Sequence, residues 1–168
     1  MTMTARAEQL HGLLREQSAT LAVAESLTGG LVGAELTEVA GASATFLGGV
    51  TAYATAAKST LLDVEQDLLD RFGAVHPQVA VSMADGVRSR FGSTYGLALT
   101  GVAGPEPQDG QAPGTVFIAC VGPEREEVTM LRVPGGRAEV RAAAARAAVE
   151  LALAVLASEP AGLRKNRV

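Results

Sequence analysis

The chain has 168 residues, of which 48% are hydrophobic, and its net charge at pH 7 is −4. This length predicts a single domain over residues 1–168, and a chain with this hydrophobic content and low charge is not intrinsically disordered. A mildly acidic chain also gives no support for nucleic-acid binding, which requires a basic surface.

The first half of the chain predicts helices and strands in alternation. Leu10, Leu13 and Leu14 recur at the spacing of an amphipathic helix. The glycine-rich stretch 41–49 predicts a shaped loop, and Thr55 is a candidate cap for a short helix. The predicted elements are a helix over residues 4–17, a strand over 20–25, a helix over 29–39 and a strand over 49–54.

The second half begins with a helix that starts at His76-Pro77 and continues to about Phe91. Proline fits the first turn of a helix, and we interpret His76 as a cap rather than a catalyst. The stretch 106–114 contains too many prolines and glycines for regular structure. The elements predicted after this helix are strands over residues 95–100, 114–121 and 126–133 and a helix over residues 136–157.

The order of these elements predicts the fold class. Alternating helices and strands favour a parallel sheet that is covered on both faces, and the two adjacent late strands make the sheet mixed. We therefore predict an α/β protein, a three-layer α/β/α sandwich with a mixed, mostly parallel sheet. The alanine- and leucine-rich last helix could bury a second face in a homodimer, although the core of a monomer would absorb it as well.

Neither end of the chain predicts export or membrane insertion. The start lacks the apolar stretch of a signal peptide, and no run approaches the roughly 20 apolar residues that cross a bilayer. We expect a cytoplasmic protein that binds no membrane, with residues 1–4 and 159–168 frayed and the basic cluster 164–167 solvated. Cys120, the only cysteine, lies in an apolar run and is predicted to be a buried, inert thiol. With two histidines in the chain, no metal site is predicted.

Three predicted strand ends lead into polar or glycine-containing loops, where open α/β sheets bind their ligands. At the first end, two glycines open a helix whose free amides would attract an anion, although a plain helix start fits the same pattern. The third end could equally be only a turn. The residues at these ends are Glu25, Ser26, Thr28, Gly29 and Gly30; Tyr53 and Lys58; and Thr100, Gly101 and Gly104.

Several charged side chains have both a plain and a functional interpretation. Lys58 among alanines is either a solvated helix lysine or, in a closed pocket, a base of lowered pKa that activates a serine hydroxyl. Arg137 and Arg141 lie four residues apart at the start of the last helix. They form a solvated face, or they hold a phosphate or the charge of a tetrahedral intermediate. His11 is predicted to lie at the surface of the first helix.

Six short motifs, in order and with compatible spacing over residues 5–157, resemble the CinA C-terminal domain family. They are Ala24-Glu-Ser-x-Thr-Gly-Gly, Gly41-x-Ser43-x-x-Phe46, Tyr53-x4-Lys58, Gly73-Ala-Val75, Thr100-Gly-x-Ala-Gly-Pro105 and Pro113-Gly-Thr-Val116. This family comprises competence/damage-inducible proteins and stand-alone nicotinamide-nucleotide amidohydrolases. Many relatives have serine after the Gly73-Ala-Val75 motif, where this chain has His76.

The resemblance implies an α/β/α fold and an enzyme that needs no cofactor. Its reaction would hydrolyse the carboxamide of nicotinamide mononucleotide to nicotinate mononucleotide and ammonia. Two-domain members carry an additional N-terminal domain that resembles molybdopterin-binding proteins. That domain is not part of this sequence, which favours a stand-alone amidohydrolase.

Under this resemblance we assign roles to the candidate residues in order of preference. If the Thr28–Gly30 loop or Arg137 holds the substrate phosphate, the amide lies toward another loop. Ser43 is then the preferred nucleophile, with Lys58 as its base and Ser26 as the second choice or an orienting hydroxyl. The remaining roles are hydrogen bonds to substrate from Tyr53 and Thr100 and oxyanion donors from glycine-loop amides.

Two other functions compete with the amidohydrolase. One is a nucleotide- or partner-binding module without catalysis that acts in competence or DNA-damage responses. The enzyme is favoured instead by the joint presence of the polar candidates Ser26, Ser43, Tyr53, Lys58 and Thr100. A flavodoxin-like redox protein is disfavoured because the chain has few aromatic residues to enclose a flavin ring.

Overall fold

The computed structural model describes residues 1–158, which form six α-helices and five strands. The helices are α1 (Met3–Glu16), α2 (Leu31–Thr37), α3 (Thr55–Leu62), α4 (Gln66–Phe72), α5 (Pro77–Phe91) and α6 (Arg137–Ser158). The strands are β1 (Leu21–Glu25), β2 (Phe46–Thr51), β3 (Tyr95–Gly101), β4 (Thr115–Val121) and β5 (Glu126–Arg132). A single 3₁₀ turn, Ala42–Ala44, precedes β2.

The strands form one mixed sheet in the order β2-β1-β3-β4-β5. β1 pairs in parallel with β2 and β3, whereas β4 is antiparallel to both β3 and β5. One hydrophobic cluster packs α1, α2 and α6 on one face, and a second packs α3, α4 and α5 on the other. The predicted three-layer α/β/α sandwich with a mixed sheet is therefore confirmed.

Side-chain size alternates across the sheet and sets how closely the helices approach. On β1 and β3, leucine, valine and tyrosine side chains face α1 and α6, whereas alanines face α5. Gly96 on β3 also lies against α5, and a Cβ built there would come within 1.9 Å of the carbonyl oxygen of Ala84. Small residues thus let α5 lie directly on the strands that carry the cavity described below.

Several predicted boundaries differ from the structure. β2 begins at Phe46, inside the stretch predicted as a loop, and α4 was not predicted at all. Thr55 is the first residue of α3 rather than its cap, a position that Ala54 holds without a side-chain hydrogen bond. Residues 3 and 4 are not frayed, because the Thr2 hydroxyl caps α1 by accepting a hydrogen bond from the Ala5 amide. Residues 159–168, with the basic cluster, lie outside the described part.

His11 is buried, contrary to the surface position predicted for it. Its Nδ1 lies 2.6 Å from the Thr45 hydroxyl, and its Nε2 lies 2.9 Å from the carbonyl oxygen of Leu36. The imidazole therefore ties α1 to α2 and to the end of the 3₁₀ turn, a tertiary role that helical periodicity does not reveal. Cys120 is buried on β4, as predicted.

The last helix is absorbed by the core of the single chain. α6 packs against α1, α2 and the sheet through buried residues on much of its surface. These contacts within the chain account for the alanine- and leucine-rich surface of α6 that suggested a homodimer. The homodimer stays a prediction. Across residues 1–158 there is no helix with both the length and the apolar character to cross a membrane.

Candidate active site

A cavity of about 180 Å³ opens at the carboxyl ends of β1 and β3. Its wall combines the turn after β1, the segment before α5, the loop after β3 and the first residue of α6. The residues that line it include Ser26, Leu27, Tyr53, Ala74, Val75, Thr100, Gly101, Ala103, Gly104, Glu106 and Arg137. The cavity thus forms where open α/β sheets generally bind ligands, as the sequence predicted.

Two adjacent residues at the end of β1 serve opposite faces of the sheet. Side chains alternate along a strand, so Glu25 and Ser26 point to different layers. Glu25 reaches the amides at the start of α2, whereas Ser26 reaches Lys58 on α3. One short strand end therefore delivers a structural acid and a candidate nucleophile at the same time.

Lys58 and Ser26 form a buried pair. The Lys58 Nζ lies 2.9 Å from the Ser26 Oγ and 2.8 Å from the carbonyl oxygen of Ala52. Lys58 is 1% exposed and Ser26 is 7% exposed. Ser26 lines the cavity, whereas Lys58 does not and meets the cavity through Ser26. This burial excludes the interpretation of Lys58 as a solvated helix lysine.

Burial changes the acid–base behaviour of Lys58. Loss of water around the ammonium lowers the pKa of Lys58 from 10.5 to about 8, and the negative charge of Asp109 opposes this shift. A neutral amine has one lone pair and two N–H groups. One N–H can remain on the Ala52 carbonyl while the lone pair accepts the proton of the Ser26 hydroxyl. The pair therefore has the geometry and the pKa of a base that activates an alcohol.

Ser43 does not lie where the proposed role as nucleophile requires. It is exposed in the 3₁₀ turn before β2, whereas Lys58 follows the carboxyl end of that strand. Six strand residues separate the two ends by roughly 17 Å, so Ser43 cannot exchange a proton with Lys58. The structure therefore brings Ser26, and not the preferred Ser43, to Lys58, and the relevant signal is that Ser43 precedes its strand while Ser26 follows one.

The turn predicted to hold a phosphate already binds an anion from the protein. The carboxylate of Glu25, which is 2% exposed, accepts hydrogen bonds from three amides at the start of α2. The donors are Gly30 at 3.0 Å, Val32 at 3.1 Å and Gly33 at 2.9 Å. The amide of Gly29 donates to the Ser26 carbonyl oxygen. These donors are satisfied, so the assignment of Glu25, Gly29 and Gly30 to substrate binding is not supported.

Arg141 and Thr28 also belong to the support of this turn. The Arg141 guanidinium donates to the carbonyl oxygens of Leu27 at 3.0 Å and Thr28 at 2.9 Å. Thr28 is fully buried and does not line the cavity. Within the described residues its hydroxyl has no hydrogen-bond partner. Neither side chain faces the cavity as a substrate ligand, contrary to the prediction.

Arg137 and Tyr53 meet at the mouth of the cavity. One Arg137 nitrogen lies 2.7 Å from the Tyr53 hydroxyl, and another lies 3.1 Å from the carbonyl oxygen of Gly104. Tyr53 is 58% exposed. These two side chains therefore offer a guanidinium and a phenol to an anionic group at the opening.

Thr100 lines the cavity but is partly committed to the protein. Its hydroxyl donates a 2.7 Å hydrogen bond to the carbonyl oxygen of Ala74, so only its oxygen lone pairs are available to a ligand. The amide of the same Ala74 donates to the Asp109 carboxylate at 2.7 Å. No sequence pattern indicates this contact of Asp109, because the residue lies in an irregular loop 35 residues away from Ala74 in the chain.

His76 caps α5, as predicted. Its Nδ1 accepts a 3.3 Å hydrogen bond from the amide of Gln78, and Pro77 occupies the first turn. The ring stacks on Phe72 with 4.4 Å between centroids. His76 therefore acts as a helix cap, and it does not line the cavity.

The fold and the cavity together define a three-layer α/β protein with a buried lysine–serine pair at the carboxyl edge of its parallel strands. The model of the CinA C-terminal domain family matches residues 3–156. The chain belongs to this family.

Relatives and solved structures agree with that assignment. A CinA-like protein from Frankia casuarinae is 50% identical over 89% of this chain and 34% of the relative. A CinA-like protein from Geotalea daltonii is 45% identical over 77% of this chain and 32% of the relative. The chain thus spans about a third of the length of these curated relatives.

Among solved structures, a CinA superfamily protein from Klebsiella pneumoniae superimposes with a TM-score of 0.91 at 29% identity, covering 95% of this chain and 100% of the other. A competence/damage inducible protein from Agrobacterium tumefaciens superimposes with a TM-score of 0.88 at 33% identity, covering 93% of this chain and 96% of the other. The match extends over nearly the full length of both solved chains.

Proposed function

We propose that the protein is an amidohydrolase that converts nicotinamide mononucleotide to nicotinate mononucleotide and ammonia, with Ser26 as nucleophile and Lys58 as general base. The observation that carries the proposal is the 2.9 Å contact between Lys58 Nζ and Ser26 Oγ at the wall of the cavity. Family membership supports the substrate, because the family resemblance implies this reaction.

The first half-reaction forms an ester on the protein. Neutral Lys58 takes the proton of the Ser26 hydroxyl while Oγ attacks the carboxamide carbon and a tetrahedral oxyanion forms. The carbon–nitrogen bond then breaks, and the proton on Lys58 passes to the leaving nitrogen. Ammonia departs, and the nicotinoyl group remains on Ser26 as an ester.

The second half-reaction returns the protein to its starting state. Water attacks the ester carbonyl, and Lys58, neutral again, takes a proton from that water. The bond between the acyl carbon and Oγ breaks, and the proton passes from Lys58 to Ser26. The products are a carboxylic acid and a free serine, so one water is consumed for each ammonia released.

The cavity fits one end of this substrate. Its 180 Å³ is below the roughly 300–1,000 Å³ of pockets that enclose drug-sized ligands. The ring with its carboxamide would therefore occupy the cavity, and the ribose phosphate would extend to the mouth. There the Arg137 guanidinium and the Tyr53 hydroxyl would bind the phosphate in place of the hydrogen bond between them.

The test is turnover of nicotinamide mononucleotide by the purified protein, followed by ammonia release and by NMR of the ring product. We expect one equivalent of nicotinate mononucleotide for each ammonia. Lys58→Met should bind the product with an unchanged Kd and yet lower the turnover by at least about a thousandfold. Binding of the mononucleotide by the wild-type protein without any turnover would instead support the non-catalytic binding module.

A further inference from the structure

The residues after Ser26 form a tight turn with a defined geometry. The amide of Gly29 donates a 3.1 Å hydrogen bond to the carbonyl oxygen of Ser26, which closes a four-residue β-turn with Leu27 in its second position. The amide of Ser26 itself donates to the Leu99 carbonyl oxygen and so continues the ladder between β1 and β3. The chain is therefore extended up to Ser26 and reverses immediately after it.

We propose that the backbone amide of Leu27 is the donor that stabilises the tetrahedral oxyanion formed on Ser26. This inference rests on the proposed function. Leu27 follows the nucleophile directly, lines the cavity and is 4% exposed. Within residues 1–158 its amide donates to no protein acceptor. Buried backbone amides are almost always paired, so an amide of a cavity-lining residue that is not paired within the protein is available to a ligand atom.

The turn fixes the direction of this donor. In a planar trans peptide, the carbonyl and the amide point in opposite directions. The Ser26 carbonyl is held inside the turn by Gly29, so the Leu27 N–H points out of the turn. This amide belongs to the residue after the nucleophile, which is the residue that supplies an oxyanion donor in hydrolases with a nucleophile at a strand-to-helix turn.

Two charged side chains hold the turn rigid from opposite sides. Arg141 on α6 donates to the carbonyl oxygens of Leu27 and Thr28, and the Glu25 carboxylate accepts from the amides that open α2. Both act through the backbone and are positioning residues. A donor that is fixed before the reaction needs no reorganisation when the negative charge develops, which is why such donors contribute strongly to kcat.

The test removes the amide hydrogen and keeps the turn. Proline is favoured in the second position of a β-turn, and the Leu27 amide makes no hydrogen bond within residues 1–158 that proline would remove, so Leu27→Pro suits the turn. Leu27→Ala is the matched control, because it loses the same side-chain packing and retains the N–H. With nicotinamide mononucleotide, we expect kcat for Leu27→Pro to fall about 100- to 1,000-fold below that of Leu27→Ala, with KM within a few-fold.

A second replacement covers the case in which Leu27→Pro does not fold. Substitution of Leu27 by its α-hydroxy acid keeps the side chain, replaces the N–H by an ester oxygen, and should give the same loss of kcat and unchanged binding of nicotinate mononucleotide. The inference is overturned if the variant that folds matches the kcat of Leu27→Ala, or if its loss lies in KM alone. A wild-type protein that releases no ammonia contradicts the proposed function instead, so the two failures are distinguishable.

Discussion

At the scale of single residues, the site depends on a lysine that is buried without a carboxylate in direct contact among the described residues. The Lys58 amine is held by two oxygen atoms, the Ser26 hydroxyl and the Ala52 carbonyl, and neither carries a formal charge. Burial therefore disfavours the ammonium form, and Asp109 restores only part of what is lost. Residues with strongly shifted pKa values in cavities are characteristic of catalytic sites.

This placement predicts how the rate depends on pH. Only neutral Lys58 accepts the serine proton, so kcat/KM should rise with pH and reach half of its plateau near the pKa of about 8. Steady-state ammonia release between pH 6 and 10 measures the profile. A rate that is flat across this range would exclude Lys58 as the titrating base.

Asp109→Asn provides an isosteric check of the same argument. The amide oxygen of asparagine can still accept the hydrogen bond from the Ala74 amide, while the negative charge that raises the pKa of Lys58 is removed. We expect the rising limb of the profile to move to lower pH. The same substitution would move it to higher pH, or not at all, if Asp109 did not act on Lys58 through its charge.

At the scale of elements, the site depends on how closely helices lie on each other and on the sheet. α3 carries Lys58, and α5 packs against both α3 and the strands. A Cβ built at Gly86 of α5 would lie 2.0 Å from the carbonyl oxygen of Leu62, the last residue of α3. Glycine at this position therefore permits the contact that keeps α3, and with it Lys58, against the end of β1.

Gly86→Ala should destabilise the protein by roughly 1–3 kcal/mol, because the backbones of α3 and α5 must separate. Gly12→Ala in α1 is the control, since no atom lies within 4 Å of a Cβ built there. In the interior of a helix it should be stabilising by about 0.5–1 kcal/mol. Urea unfolding of both variants measures the difference, and equal free energies of unfolding would contradict the close contact.

The sequence predicts elements well where periodicity and strand ends carry the signal. It places nearly all of the strands, the long helices and the edge of the sheet at which the cavity lies. α4 escapes prediction because its seven residues show too little periodicity. The contacts of His11 and Asp109 also escape it, because tertiary packing over 34 and 35 residues of chain creates them.

At the scale of the whole molecule, the cavity exists only where distant segments meet. The turn after β1 supplies Ser26, α3 supplies Lys58, and the start of α6 supplies Arg137, which reaches across to Tyr53, 84 residues earlier in the chain. The sequence identifies these side chains as candidates but prefers Ser43, whereas the structure brings Ser26 to Lys58. The two serines lie at opposite ends of the parallel strands, and Lys58 follows β2 as Ser26 follows β1.

The comparison of Ser26→Ala with Ser43→Ala in ammonia release from nicotinamide mononucleotide tests this account most directly. We expect Ser26→Ala to lose at least about a thousandfold in kcat while it still binds nicotinate mononucleotide. Ser43→Ala, altered at an exposed position on the other edge of the sheet, should match the wild-type protein. Retained turnover in Ser26→Ala, or its loss in Ser43→Ala alone, would contradict the assignment of Ser26 as the nucleophile.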